Sequence, residues 1–460
     1  MSDYFGTDGI RGVVNKFLTL DLVFNCGCAL AKKANEDFKN NTCKDYIDNQ
    51  ALLKFKTKKP LIVIGGDTRT SRQLITLAFS CGAISAGVNV VDVGICPTAG
   101  IAYITKQIQA DFGVVISASH NPPQYNGIKI FNSNGVKLSQ KEETRLEKDF
   151  FKLKPLFWAK TGEYKQKPSL TSIYTKYLTS ICKRDLMGLN VVLDCANGAS
   201  YNIATKVFKS LGARVTKCCC KDDGKNINNK CGAVYPKCLS NMVKKHNADM
   251  GFAFDGDADR LIACDEQGNI LDGDILVFTL AKYFKNLNMI SKNTVVGTTQ
   301  TNSGLECDLN RQGIKLVRTE VGDKYIIEKL NQSKLNLGGE KSGHIILKDF
   351  ADSADGILAA VKLAEIVAAK NKSLSQISKV KLYPQININC TVKYKQKIIN
   401  DKQLKKAILS QQKLLGNKGR IIVRCSGTEP KIRIMVEGQD KKLIKIIAIN
   451  IKNIVKKLNN

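Results

Sequence analysis

Short β-branched runs, closed by glycine or polar clusters, alternate with longer stretches of helical periodicity along most of the chain. This is the pattern of an α/β architecture. Residues 61–64, 90–93, 114–117, 191–194, 248–254 and 295–297 read as strands, and 74–86, 172–181, 203–211, 275–283 and 356–369 as helices. A polar, lysine-rich stretch at 151–168 marks a first boundary, and 259–270 and 370–381 mark two more. The expected domains are therefore 1–155, 156–258, 259–372 and 373–460. The first three read as α/β; the last reads as α+β, strands with helices on one side. A strand followed by a polar loop recurs about once per domain, which points to related domains sharing a central cleft.

Composition narrows the class. A chain of 460 residues, 43% apolar and 24% charged, exceeds one ordinary domain and suits a soluble globular protein. No basic-then-apolar leader opens it and no apolar run approaches the ~20 residues of a span, so the cytoplasm is the expected compartment and no membrane insertion is expected. The 16 cysteines include no C-x-x-C pair, and the densest patch is Cys218-Cys219-Cys220 with Cys231 and Cys238. Zinc sites usually carry paired spacing, so reduced thiols are the expectation.

The net charge of +30 raises a nucleic-acid reading. Only 12 of the 71 basic residues are arginine, whereas base reading and bidentate phosphate contacts favour arginine. The basic tail 441–457 interleaves isoleucines at helical spacing and reads as an amphipathic helix. No specific nucleic-acid partner is expected; a basic field also attracts small anionic substrates.

Four loops carry the candidate chemistry. Ser117-Ala118-Ser119-His120-Asn121-Pro122 follows the apolar run 112–116, so Ser119 leaves a buried strand at a turn, posed as a nucleophile beside a histidine. Asp255-Gly256-Asp257-Ala258-Asp259-Arg260 sets three carboxylates at i, i+2 and i+4, fit to gather on a hard cation such as Mg²⁺. A calcium EF-hand loop would use Glu266 at its twelfth position, but Arg260 stands where its sixth needs glycine, and strands flank the loop instead of helices. Gly338-Gly339-Glu340-Lys341-Ser342-Gly343-His344 offers an acid, a hydroxyl and an imidazole suited to sugar hydroxyls. Arg424-Cys425-Ser426-Gly427-Thr428-Glu429-Pro430, with Arg433 beyond it, joins two strand-like runs and reads as a phosphate cradle. Of three histidines in the chain, His120 and His344 both fall in these loops.

In this order the loops resemble those of the α-D-phosphohexomutase superfamily, over the whole chain. Details of its bacterial glucosamine-phosphate branch are similar too: Tyr4-Phe5-Gly6-Thr7-Asp8-Gly9-Ile10-Arg11-Gly12, Ser117 before Ala-Ser-His-Asn-Pro, Asp194-Cys195-Ala196-Asn197-Gly198-Ala199, and the double glycine before Glu340. Gly66, Lys341 and the triplet Ala233-Val234-Tyr235 depart from that branch, and Lys341 adjoins the sugar contacts.

The resemblance implies a four-domain fold around a central cleft and one Mg²⁺ per chain, held by Ser119, Asp255, Asp257 and Asp259. It implies Ser119 as the phosphorylated residue, Lys129 as general acid/base with a lowered pKa, and Arg11 and His120 completing the catalytic lining. Glu340, Ser342, His344 and Arg260 would grip the sugar; Arg424, Ser426, Gly427, Thr428 and Arg433 would hold its distal phosphate. The implied reaction interconverts glucosamine 6-phosphate and glucosamine 1-phosphate through a 1,6-bisphosphate, with glucosamine or glucose 1,6-bisphosphate as activator, and feeds UDP-N-acetylglucosamine and cell-envelope synthesis. The sister activity on mannose or glucose phosphates is the alternative. Family members are often dimers, so a homodimer is compatible with the resemblance.

Overall fold

A computed structural model describes residues 4–6, 8–40, 59–152, 161–426 and 430–459, and the elements and counts given are of those residues. Each expected strand and helix is present, shifted by a few residues at its ends: Leu61–Gly66, Asn89–Ile95, Phe112–Ile116, Asn190–Asp194, Met250–Phe254 and Thr294–Thr298 are strands, and Arg72–Ser85, Thr171–Ser180, Ser200–Ser210, Gly273–Asn286 and Gly356–Lys370 are helices. Strand Leu61–Gly66 is buried at every position, as a strand covered on both faces must be. Helix Gly356–Lys370 is buried continuously from Gly356 to Val367, which its all-round apolar sequence requires. Asp355 caps it by accepting from the Leu358 amide.

The chain divides into two compact units, residues 1–299 with 317–379 and residues 300–316 with 380–460. The first sheet, seven-stranded, runs in the order Phe5–Gly6, Gly9–Val13, Tyr125–Asn132, Phe112–Ile116, Leu61–Gly66, Asn89–Ile95, Tyr164–Gln166. A five-stranded sheet follows as Ile270–Leu271, Leu261–Asp265, Met250–Phe254, Asn190–Asp194, Arg214–Cys218, and a four-stranded one as Lys315–Thr319, Thr294–Thr298, Leu337–Gly339, Ile345–Leu347. Each is mixed, and one arrangement recurs. A strand parallel to its neighbour (Phe112–Ile116, Met250–Phe254, Leu337–Gly339) ends in a candidate loop, and the chain returns as an antiparallel partner. Three site loops thus leave the carboxyl ends of parallel strands, the edge where α/β sheets place their ligands.

Strand pairing runs past two of the expected boundaries. Leu261–Asp265 and Ile270–Leu271 pair into the second sheet, so that sheet extends past the cut expected at 258/259. Tyr164–Gln166 lies parallel to Asn89–Ile95 and extends the first sheet beyond 155. In both places the ladder continues through polar residues that read as a boundary.

The second unit holds a three-stranded antiparallel sheet in the order Gln385–Thr391, Lys431–Gly438, Gly419–Cys425. The basic tail forms helix Lys441–Lys457, capped by Asp440, with Ile444, Ile447, Ala448, Ile451 and Val455 buried and its lysines on the other face. That spacing accounts for much of the chain's terminal positive charge as a solvated helix face. Among the described residues no helix is long and apolar enough to cross a membrane.

Candidate active site

Ser119 anchors the candidate site in the first unit through bonds to four segments of the chain. Its backbone sits at φ +53°, a region that costs a non-glycine residue of order 1–3 kcal/mol and persists only where surroundings over-determine it. Those surroundings are explicit. The Ser119 amide donates to Ser117 Oγ at 2.9 Å, and Ser117 Oγ donates to Asp67 Oδ2 at 2.6 Å. The Ser119 carbonyl accepts from Arg69 Nη2 at 3.0 Å and from Asn228 Nδ2 at 2.8 Å. Arg69, fully buried and paired with Asp67 at 3.0 Å, also donates to the carbonyls of Asn121, Pro122 and Tyr125. One guanidinium therefore holds four carbonyls of the turn, a task its fixed fork of donors allows.

The result aims Ser119 Oγ at Asp255 Oδ2, 2.6 Å away. Gly256 makes this approach possible: a Cβ there would lie 2.5 Å from the Ser119 carbonyl. Asp255, Asp257 and Asp259 are all buried, with one oxygen of each within 4.8 Å of the others. Burial, then Asp259 and Asp257, push Asp255 up to about 7. Asp257 Oδ1 is buried without a hydrogen-bond partner. Three hard carboxylates and an orphaned oxygen fit a small divalent cation of the magnesium type, so the residues present suit the group that the sequence implied.

Lys129 faces the same carboxylates. Its Nζ lies 2.8 Å from Asp257, 2.9 Å from Asp259 and 3.2 Å from Asp8. Burial works against the ammonium, but Asp257, Asp259 and Asp8 outweigh it and hold the lysine well above its ordinary value. The lowered pKa that the resemblance implies would need cationic charge beside Lys129, and without a bound cation its neighbours are carboxylates. Burial, then Arg260 and Arg11, bring His120 down to about 4, and its Nδ1 lies 3.4 Å from Ser119 Oγ.

Arg11 pairs with Asp8, and burial of its charge is offset by Asp8, Asp257, Asp259 and Asp255. The glycine-rich loop meets the metal loop directly. His344 bridges Glu340 Oε1 at 2.7 Å and Asp259 Oδ1 at 3.1 Å; burial opposes its charge, but the carboxylates push it up to about 10. Ser342 Oγ donates to Glu340 Oε1 at 2.7 Å, and Arg260 Nε lies 3.9 Å from Asp255. Gly343, at φ +100°, packs where a Cβ would meet the Leu261 carbonyl at 2.5 Å. Lys341 is exposed and turns towards Asp272, 3.7 Å away.

In the second unit, Arg424 and Arg433 stand directly opposite on antiparallel strands. Arg433 Nη2 reaches Ser426 Oγ at 3.4 Å, and Lys395 Nζ donates to the Ser426 carbonyl at 2.7 Å. Like charges facing across a ladder are unfavourable unless an anion answers them. Gly427 and Thr428, expected in the same cradle, lie outside the described residues.

In the first unit the fold brings together Ser119, His120, Lys129, Arg11, the three aspartates, Arg260, Glu340, Ser342 and His344. Sequence reasoning did not assign roles to Arg69, Asp67, Ser117, Asn228, Asp8 or Thr98, whose Oγ1 donates to Asp257 Oδ2 at 2.6 Å. Arg69 carried a signal, a scarce arginine just past a buried strand; Asn228 carried none.

Comparison with known proteins gives a consistent assignment. Profiles described as phosphoglucomutase/phosphomannomutase match domain I over residues 45–156, domain II over 172–268, domain III over 272–383 and the C-terminal domain over 388–453. The phosphoglucosamine mutase of Clostridioides difficile (strain 630) is 41% identical over 99% of this chain and 99% of that protein. That of Caldanaerobacter subterraneus subsp. tengcongensis is 42% identical over 100% of each. Among solved structures, a phosphoglucomutase/phosphomannomutase family protein of Burkholderia thailandensis superposes with TM-score 0.80 at 23% identity, covering 99% of this chain and 98% of that one. The N-acetylphosphoglucosamine mutase of Aspergillus fumigatus, solved with GlcNAc-6P and magnesium, gives TM-score 0.69 at 16% identity over 100% and 96%. These two likenesses carry the fold.

Proposed function

The chain belongs to the phosphoglucomutase/phosphomannomutase family, and from that premise we propose that it is a phosphoglucosamine mutase, interconverting glucosamine 6-phosphate and glucosamine 1-phosphate. Its full-length relatives of about 40% identity bear that activity's name. The observation that carries the mechanism is the 2.6 Å hydrogen bond from Ser119 Oγ to Asp255 within the buried aspartate cluster.

Ser119 holds a phosphoryl group in the resting enzyme. A sugar hydroxyl attacks the phosphorus, the bond from phosphorus to Oγ breaks, and a 1,6-bisphosphate results. After the sugar turns around, the same serine takes back the other phosphoryl group. Little covalent chemistry is asked of the protein, so positioning and charge dominate. Asp255, Asp257 and Asp259 would hold Mg²⁺ beside Ser119, where it supplies charge to the transferring oxygens and takes up carboxylate charge that Lys129 otherwise balances.

Lys129 moves a proton at the serine or sugar oxygen, as the resemblance implies. His120 stays neutral and bonds to the reacting oxygen. Glu340, Ser342 and His344, tied to Arg260, accept and donate to sugar hydroxyls in either orientation. Arg424, Arg433 and Ser426, with Gly427 and Thr428, hold the phosphate that is not reacting. A hexose 1,6-bisphosphate serves as activator by phosphorylating Ser119, and a homodimer and a cytoplasmic setting accord with the family reading. The product would enter UDP-N-acetylglucosamine synthesis.

The test is kcat/KM for glucosamine 6-phosphate against mannose and glucose phosphates, with Mg²⁺ and trace hexose 1,6-bisphosphate. A preference for the amino sugar, abolished in Ser119→Ala together with the phosphoryl mass on the protein, is expected. A preference for mannose or glucose phosphate would assign the sister activity instead.

A further inference from the structure

Away from the aspartates, the second sheet gathers a different set of ligands. Cys218 ends strand Arg214–Cys218, Cys219 follows at φ +49°, and Cys238 opens helix Lys237–Lys245. Their sulfurs stand 3.0 Å (Cys218 to Cys238), 3.6 Å (Cys218 to Cys219) and 3.9 Å (Cys219 to Cys238) apart. One oxygen of buried Asp194 lies within 4.8 Å of all three. Cys231, buried, accepts from Asn197 Nδ2 at 3.9 Å.

We propose that Cys218, Cys219, Cys238 and Asp194 form a structural site for a soft, tetrahedral divalent cation of the zinc type. Thiolates around zinc at about 2.3 Å are about 3.8 Å from one another, the spacing that two of the three sulfur pairs already have. Thiolate donors select zinc over magnesium, so this site and the aspartate cluster discriminate by chemistry. Binding replaces the three thiol protons, which leave to solvent, with metal–sulfur bonds. The chain spacing hides the site because its ligands come from a strand end, the next residue and a helix start.

The site has a task in the fold. The Cys218 and Cys219 carbonyls accept from the amides of Cys195 and Asn197, and the Lys221 amide donates to Asn197 Oδ1. The same connection continues to Asn228, whose amide bonds to the Ala196 carbonyl and whose side chain holds the Ser119 carbonyl. A metal pinning 218, 219 and 238 therefore braces the segment that supports the phosphoserine turn. It is a positioning site.

Cobalt reports it. The full chain, reduced and stripped of metal, would be titrated with Co²⁺ in excess Mg²⁺. One equivalent is expected to give a thiolate-to-cobalt charge-transfer band and tetrahedral visible absorption, displaced by equimolar Zn²⁺, with Zn²⁺ raising Tm. Cys219→Ser with Cys238→Ser should abolish both effects, while Cys81→Ser with Cys307→Ser, at exposed positions, should leave them intact. Cys238 is half-buried, so Cys238→Ser alone serves if the double variant does not fold. Absence of the band in the folded, reduced chain would overturn the proposal. So would its survival in the double variant, or a Cys218–Cys238 disulfide in a chain whose reduced form takes up no cobalt.

Discussion

The guanidinium of Arg69 donates to the carbonyl of Ser119 at 3.0 Å, across a sequence separation of 50 residues. With the other three carbonyls it holds, it fixes the left-handed turn that points the serine hydroxyl at Asp255. Lysine keeps the charge opposite Asp67 but cannot present donors in several directions. Arg69→Lys is expected to lower kcat by roughly a hundredfold, the scale of a misplacement near 1 Å, with a small change in KM. Arg69→Ala leaves Asp67 buried and uncompensated and should cost about 3–5 kcal/mol of stability. Paired kinetics and thermal melts check both; unchanged kcat in Arg69→Lys would remove the clamp from the account.

Lys129 contacts Asp257 and Asp259, so on the proposed reading it competes with the divalent cation for them. Removing the lysine leaves three buried carboxylates in mutual repulsion, so Lys129→Met should melt lower than wild type in chelator. It should also gain more from added Mg²⁺, because the cation no longer opposes an ammonium. The measurement is the Tm shift on adding Mg²⁺ to each protein. Equal shifts would mean that the lysine and the cation occupy different sites. Turnover of the variant is expected to fall by about 10²–10⁴, the usual span of a lost acid/base.

Much of this site was legible because its loops are locally odd. Aspartates at 255, 257 and 259, two of three histidines, and Ser119 at a strand end all depart from ordinary loop composition. What stayed hidden acts through bonds of long sequence separation. Asn228 reaches Ser119 across 109 residues and Thr98 reaches Asp257 across 159, and neither sits in an unusual local sequence. Lys129 is a further case: Asp8, Asp257 and Asp259 stand far from it in sequence, and only the folded chain brings them within 3.2 Å of it. The strands at 261–271 lie where a boundary is expected at 259–270, although their ladder belongs to the second sheet.

Asp355 makes folding stability depend on pH. Burial pushes it up to about 6, although it accepts from the Leu358 amide and from Tyr174 Oη at 2.7 Å. The fold therefore favours the protonated acid. That contribution is whole below the ordinary carboxyl value near 4 and is lost as pH rises through about 6. Asparagine imitates the neutral acid at every pH and still caps the helix. Asp355→Asn should match wild type near pH 4 and exceed it by up to about 3 kcal/mol at pH 7, at about 1.4 kcal/mol per pKa unit. Denaturant melts at the two pH values test this; a variant less stable at pH 7 than at pH 4 relative to wild type would reverse the sign.

Arg424 and Arg433 face each other with Ser426 beside them, a pairing suited to phosphate, which accepts two parallel bonds from each guanidinium. On the proposed reading, a phosphate gripped here is the one that does not react, so the contact is made equally in ground and transition states. Its loss should then raise KM and leave kcat nearly unchanged. Arg433→Gln is expected to raise KM for the phosphosugar by roughly tenfold to a hundredfold, the worth of a charge-assisted bond of about 1.5–3 kcal/mol. Arg433→Lys should recover only part of it, since an ammonium gives charge without the fork. Steady-state kinetics over a full substrate range separate the two parameters. A fall in kcat with unchanged KM would instead assign Arg433 to the transferring phosphoryl group, and the division of labour between Ser119's aspartates and this cradle would have to be redrawn.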